Sequence, residues 1–383
     1  MDQATQERLA ARIDNLKKRR STDLAPSTYR VPAADYTDAA QLTRELDRLF
    51  LGGPLLAGLS GDARAPGDWF SFDACGRSAV VWRAPDGALR AFANACRHRG
   101  MRVASGCGHA SRLLVCPYHS WSYDCEGRLH AIPGDEGFSD VARESLGLTA
   151  LPVHEEAGLI YVGLSAAGKI AADGIGGAET ELGPFALAGY HQVERREHRF
   201  ATNWKLTIDS FMEAYHLHSL HKETLRPLFH GNLSVFDAFG NTCRIVGVRR
   251  TFDQRKNGGN GSGLLAHVTL LYQMFPNAVL IYQQDHVELY QSFPDLRDAN
   301  ACDVRLTLYA PRAPETDAER AYWKKNLDLI DHVTTTEDFA ACEKIQANLR
   351  AGAVPFLLLG RNEPGVAHFH RMLHATLGTT PSQ

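Results

Sequence analysis

At 383 residues the chain exceeds what one compact core organises, so two domains are expected. With 41 Lys and Arg against 44 Asp and Glu, and a net charge of -3, it lacks the basic excess that neutralising phosphates demands, which excludes nucleic acid as a partner. No stretch approaches the roughly 18 apolar residues of a membrane span and the first residues lack a signal-peptide core, so a cytoplasmic protein without membrane association is expected, its eight cysteines kept as thiols.

In chain order, Leu9, Ile13 and Leu16 form one apolar stripe and predict an amphipathic helix within an N-terminal helical segment, 1–45. From Pro66 to Ala131, short runs such as SAVVWRA, LRAFANA and RLLVCPYHSWSYD alternate with the turn signals APDG, SGCGH and DCEGR. Such punctuation predicts a small antiparallel β domain, assigned to 46–167. LIYVGL at 159–164 is a further strand, and the Gly/Ala-rich passage 165–179 reads as a linker with the boundary near Gly168.

The second domain, 168–383, mixes the strand-like runs CRIVGVRRTF, LLAHVTLLYQMF, AVLIYQQD, HVELYQSF and DVRLTLYA with helical patterns at 205–221 and 317–350. That mixture predicts an α+β fold with an antiparallel sheet. KNGGNGSG, 256–263, reads as a mobile loop. The tail GVAHFHRMLHATL predicts a closing amphipathic helix whose His368, His370 and His374, lacking a carboxylate at suitable spacing, are taken as structural.

Two constellations carry chemistry. In the first domain Cys96 and His98 are followed, after 17 intervening residues, by Cys116 and His119. Four such ligands on two loops suit either a tetrahedral Zn²⁺ or a Rieske cluster, in which one iron takes two thiolates and the other two imidazoles. One Cys and one His per loop lets two loops grip both irons, an alternation that zinc does not need. Gly100, Gly106, Gly108 and Gly127 allow close backbone approach, and Trp121 and Tyr123 could wall the site. Cys75, Cys107, Cys125, Cys243, Cys302 and Cys342 show no partner spacing and are read as packing residues.

CRHRG followed by CPYHSW closely resembles the Rieske domain of aromatic-ring-hydroxylating and related oxygenases. The resemblance implies a [2Fe–2S] cluster held by Cys96, His98, Cys116 and His119.

In the second domain, NWKLTIDSFMEAYHLHSLHKE carries Glu213, His216, His218 and His221. On a regular helix Glu213 and His216 share a face, whereas His216 and His221 lie about 140° apart, so a local distortion such as a π-bulge is predicted if both bind one metal. His218 falls on the opposite side and is assigned a structural role. An O₂-activating Fe(II) takes two imidazoles and one carboxylate with open positions. The late segment TTEDFAACEKIQANLRAG offers Glu337, Asp338 and Glu343 as that carboxylate.

The order of these motifs, with Asn-Trp-Lys ahead of acid-x-Tyr-His-x4-His, again resembles the oxygenase family. The resemblance selects Asp338 as the third iron ligand beside His216 and His221. It implies a helix-grip catalytic domain and a homotrimer in which one subunit's cluster faces the next subunit's iron. It also makes Glu213 the residue that bridges the two centres. Many ring-hydroxylating members carry Asp there; Glu is similar to the branch acting on quaternary ammonium compounds.

The activity so implied is that of a terminal oxygenase, an oxidoreductase that uses O₂ and receives electrons from a separate NAD(P)H-dependent reductase, with or without a ferredoxin. No G-x-G-x-x-G in a strand-to-helix context provides a nucleotide site on this chain. The leading expectation is hydroxylation or oxidative demethylation of an apolar aromatic or polycyclic substrate, with a quaternary ammonium as the alternative. A Rieske electron carrier fused to a ligand-binding domain is the alternative of another class. Leu271, Tyr272, Met274, Phe275, Tyr282, Phe356 and Leu358 are the candidates for pocket or core.

Overall fold

A computed structural model describes residues 1–168, 170, 177–255 and 263–379. The segment read as a mobile loop, apart from its last glycine, and residues 169 and 171–176 of the passage read as a linker lie outside these residues. The chain divides into two compact units, one of Leu46–Gly174 and Ala186–Tyr190, the other of Met1–Glu45, Ile175–Phe185 and His191–Gln383. The first 45 residues, set apart in the sequence reading, therefore group with the second half of the chain.

The smaller unit is antiparallel throughout. A five-stranded sheet runs in the order Ala150–Leu151, Leu89–Ala93, Arg77–Arg83, Asp68–Ala74, Cys107–His109, and a three-stranded sheet pairs Val153–Glu156, Leu159–Gly163 and Pro54–Leu59. A third sheet of Leu113–Val115, Ser122–Asp124 and Leu129–Ala131 carries the second Cys/His loop between its first two strands. Trp82, Phe92, Val103, Leu114, Trp121 and Tyr123 form the core, and Cys96 and Cys116 are part of it.

The larger unit is built on a seven-stranded antiparallel sheet in the order His191–Phe200, Cys302–Ala310, Val287–Pro294, Ala278–Tyr282, Val268–Met274, Thr242–Arg249, Phe229–Phe239. All five strand runs read from the sequence are strands. The two outermost were missed. HQVERREHRF presents charges on both faces because it pairs on one side only, an edge strand without the alternation that marks a half-buried one.

The helix predicted at 317–350 is one continuous rod in three parts, Asp317–Val333, a π-helical turn Thr334–Asp338, and Phe339–Arg350. It opens on a capping box, Thr316 accepting from the Glu319 amide while Glu319 accepts from the Thr316 amide. The closing helix, Pro364–Leu377, starts with Pro at its first turn and stops at Gly378, whose φ of +66° ends it in the left-handed region. The N-terminal helix, Gln3–Lys18, buries Leu9, Ala10, Ile13 and Leu16 and packs on Phe229–Phe239, its apolar stripe thus absorbed by its own unit.

The helix predicted at 205–221 is a correction. Regular helix covers only Trp204–Asp209, and a 3-10 turn, His216–His218, follows after a non-helical stretch. Asn-Trp-Lys explains why the short helix is fixed. Asn203 caps it by accepting from the Lys205 amide, and its side-chain amide donates to the Tyr36 and Ala299 carbonyls. Trp204 Nε1 and Lys205 Nζ both donate to Glu45, at 2.8 and 2.6 Å, and the Lys205–Glu45 pair is 1% exposed at each side chain.

Candidate functional site

The Cys96 and Cys116 loops are near-copies. In each the Cys amide donates five residues ahead, to Met101 and Trp121, and its carbonyl accepts from the amide four residues ahead, Gly100 and Ser120. Both of these fourth positions are left-handed, φ +76° at Gly100 and +58° at Ser120, the second an uncommon conformation for a residue with a side chain. The two tight loops bring His98 and His119 together, ring centroids 4.6 Å apart, with His98 stacked on Trp121.

Burial sorts the four ligands. Cys96 and Cys116 are 3% and 2% exposed, whereas His119 is open and His98 half-buried. His98 Nδ1 is nonetheless shut from solvent without a hydrogen-bond partner, an orphan that a metal would satisfy. Tyr123 places its hydroxyl 3.2 Å from Cys96 Sγ and accepts from the Arg97 amide. These residues fit a two-iron cluster with thiolates inward and imidazoles outward.

In the larger unit His216, His221 and Asp338 each offer a ligand atom, all within 4.8 Å of one another. Asp338 Oδ1 lies 3.3 Å from His216 Nε2 and 3.1 Å from His221 Nε2. Each imidazole turns its other nitrogen to a second carboxylate: His216 Nδ1 bonds Glu213 and His221 Nδ1 bonds Glu337. Such carboxylate–imidazole pairs fix ring orientation and raise ligand basicity at metal sites. Glu213 also accepts from the Tyr215 and His216 amides, and Glu337 from the Thr224 hydroxyl at 2.8 Å.

Three carboxylates around two imidazoles leave excess negative charge in a largely buried site. Although burial opposes it, Asp338 and Glu213 raise His216 to about 10, and His221 rises for the corresponding reason. Burial would lift Asp338, but the two histidines hold it below the usual carboxylate range. A divalent cation offsets the same charge, so the donor set fits Fe(II).

The predicted distortion at the histidines has a different form. The stretch leaves the helix altogether, and the wide turn lies instead on the carboxylate's rod, ending at Asp338. That turn separates the neighbours Glu337 and Asp338 so that one meets Nδ1 and the other Nε2 of His221. Gly365 lets the closing helix reach the Glu213 segment, since a Cβ there would stand 2.5 Å from the Met212 carbonyl oxygen. His218 Nε2 accepts from the Gly231 amide at 3.0 Å, away from the triad. His370 is locked between Asp209 and Tyr36, and His374 meets Asp35. Glu343 caps the Ala201 amide.

The triad opens on a cavity of about 970 Å³, partly open to solvent. Leu217, Leu225, Leu271, Ile281 and Val333 supply aliphatic wall, with Phe211, Phe229 and Tyr290 as rings. Of the seven pocket candidates from the sequence only Leu271 lines it; Tyr272 and Met274 alternate to the other face of their strand, and Phe356 and Leu358 pair with the strand Tyr29–Pro32 elsewhere. Missed altogether was Glu288, a carboxylate 3% exposed within a strand whose every residue is buried. The sequence shows only a single acid inside the strand run HVELYQSF, which does not say which face it joins.

Residues 187–379 match the ring hydroxylating alpha subunit (catalytic domain) family and 55–144 the Rieske [2Fe-2S] domain family. The chloroplastic choline monooxygenase of Amaranthus tricolor is 27% identical over 364 residues, covering 92% of this chain and 79% of that protein. The carnitine monooxygenase oxygenase subunit of Escherichia coli K12 is 24% identical over 363 residues, covering 90% and 93%. The crystal structure of a quaternary ammonium Rieske monooxygenase in complex with L-carnitine superposes with a TM-score of 0.78 at 20% identity, covering 92% of this chain and 96% of that one.

Proposed function

From a chain that belongs to the ring-hydroxylating alpha-subunit family and carries a Rieske domain ahead of its catalytic domain, we propose a terminal oxygenase that oxygenates a carbon next to the nitrogen of a quaternary ammonium compound. The observation that carries the substrate class is Glu288, a buried carboxylate in the cavity that the iron triad opens on, with Phe211 and Tyr290 lining the same cavity. A carboxylate and ring faces are what a desolvated ammonium group requires. Relatives named for choline and carnitine support the same class.

When bound, the [2Fe–2S] cluster delivers electrons and the mononuclear iron activates O₂. Cys96, Cys116, His98 and His119 would hold the former, and His216, His221 and Asp338 the latter. Glu213 and Glu337 hold the two imidazoles in one tautomer with Nε2 toward the metal, and the aliphatic wall excludes water around the reacting carbon. The overall balance takes one O₂, two electrons and two protons to one hydroxylated carbon and one water. A hydroxyl on an N-methyl group collapses by cleavage of the C–N bond to formaldehyde and the tertiary amine, with release of the hydroxyl proton.

Electrons come from a separate reductase, so NADH alone gives no turnover. We assign Glu213 to the path between centres, and a homotrimer as the assembly that completes it. An aromatic or polycyclic substrate, the leading expectation from sequence, is the second reading, favoured by the aliphatic wall.

The test is single turnover of the reduced holoenzyme with choline, carnitine, glycine betaine and naphthalene, scoring formaldehyde and oxygenated products by mass spectrometry. Product from an ammonium compound is expected; product from naphthalene alone would overturn the assignment.

A further inference from the structure

Resting on that reading, we propose that Glu288 Oε2 is the anchor for the substrate's cationic nitrogen, held in place by Gln283 and His286, and so sets the preference for an ammonium over a neutral group of the same shape. Both hydrogen bonds of Glu288 land on Oε1, from Gln283 Nε2 at 3.0 Å and His286 Nε2 at 3.2 Å. Oε2 accepts no hydrogen bond from the described residues and is the oxygen offered to a ligand.

The support behind this carboxylate reaches across four strands or their ends. Arg249 donates to Gln283 Oε1 at 2.5 Å and to Thr269, which turns the Gln283 amide nitrogen toward Glu288. On the other side His286 Nδ1 bonds Asp285 at 2.7 Å, and Asp285 accepts from the Tyr322 hydroxyl at 2.7 Å. Gln283, Thr269 and Glu288 line the cavity, and His286 is itself 7% exposed.

A charge tally decides what the carboxylate can do. Burial disfavours the His286 charge, but Asp285 and Glu288 raise it to about 9, so it is an imidazolium at neutral pH. Asp285, held down to about 2 first by its bond to His286, answers that charge from the outer side. The Arg249 guanidinium is separated from Glu288 by the Gln283 amide and stacks over Phe229. Besides Glu213 and Asp338 at the triad, the carboxylate lining the cavity is therefore that of Glu288, with one oxygen that accepts no hydrogen bond from the described residues and the other held by a neutral and a cationic donor that prevent it from swinging away. A carboxylate so fixed meets a cation without reorganising, and a neutral isostere gains nothing from it.

The experiment measures equilibrium binding to the holoenzyme by calorimetry, comparing choline with 3,3-dimethylbutan-1-ol, its neutral carbon isostere, and including glycine betaine and carnitine. Wild type should bind an ammonium compound at least roughly tenfold tighter than the neutral isostere. Glu288→Gln should lose roughly 30-fold or more of that affinity while its affinity for the isostere and its cluster absorbance stay unchanged. Glu288→Asp, which keeps the charge but withdraws it, should weaken the ammonium compound by an intermediate factor; it also serves if the glutamine variant fails to fold.

Equal binding of ammonium and isostere by wild type, or unchanged ammonium affinity in Glu288→Gln, would overturn the anchor and leave the quaternary-ammonium reading standing if those compounds are still turned over. Failure of every ammonium compound both to bind and to turn over would remove the two together.

Discussion

At the scale of single residues, each imidazole of the proposed iron triad is gripped from both sides, and the two grips are separable by mutation. Asp338 lies at both Nε2 atoms, while Glu213 and Glu337 hold the two Nδ1 atoms. Glu337→Gln removes only an orienting partner, so it should weaken iron retention about 10–100-fold against a chelator while the cluster stays intact; a loss confined to Glu343→Gln would contradict it. Glu213→Gln, which removes the equivalent partner of His216, should weaken iron retention comparably and, once loaded with iron, still lose reductase-driven turnover; unchanged turnover of the iron-loaded variant would take Glu213 out of the electron path. The ligand types were legible because metals demand fixed donors at fixed spacing. The roles of Glu337 and Glu288 were not, since two adjacent acids look alike until a π-helical turn aims them apart, and a lone acid in a strand does not announce which face it joins.

His286 gives a pH prediction at this scale. Its folded-state value is raised from 6.5 to about 9, so the stability it contributes is fully present below about 6.5 and is lost as pH rises through about 9. The shift corresponds to a contribution on the order of 3 kcal/mol. The melting temperature of wild type should therefore fall more steeply from pH 7 to 10 than that of His286→Gln; parallel curves would contradict the charged assignment.

At the scale of elements, the short helix Trp204–Asp209 owes its place to Asn203, to the Lys205–Glu45 pair and to Trp204, not to its own length. Removing Glu45 alone strands a buried ammonium, so Glu45→Leu should cost about 3–5 kcal/mol, while the double change Glu45→Leu/Lys205→Met recovers most of it. Chemical denaturation of the three variants checks this, and an equal loss in single and double would argue against the charge as the cause. The strands with apolar alternation were readable because half-burial writes itself into the sequence with period two. The edge strand His191–Phe200, solvated along much of its length, carries no such record, and the histidine segment was overextended as helix because its spacing was laid on a helical pitch that the chain abandons at Asp209.

At the scale of the whole molecule, a small β unit and a larger α+β unit each carry one of the two proposed donor sets. The order of the motifs along the chain conveyed this. The grouping of residues 1–45 with the later unit did not, because contacts between distant segments, such as Tyr36 with His370, leave no local trace. No helix among the described residues is long and apolar enough to cross a membrane.

The most direct test of the two-centre account is iron and acid-labile sulfide per chain, with electron paramagnetic resonance of the reduced protein and of its nitric oxide adduct. Wild type should hold about three irons and two sulfides. Asp338→Ala should fall to about two irons, keeping the cluster signal and losing the nitrosyl signal, and Cys116→Ala should lose the cluster. A colourless zinc protein, or a nitrosyl signal untouched by Asp338→Ala, would contradict it.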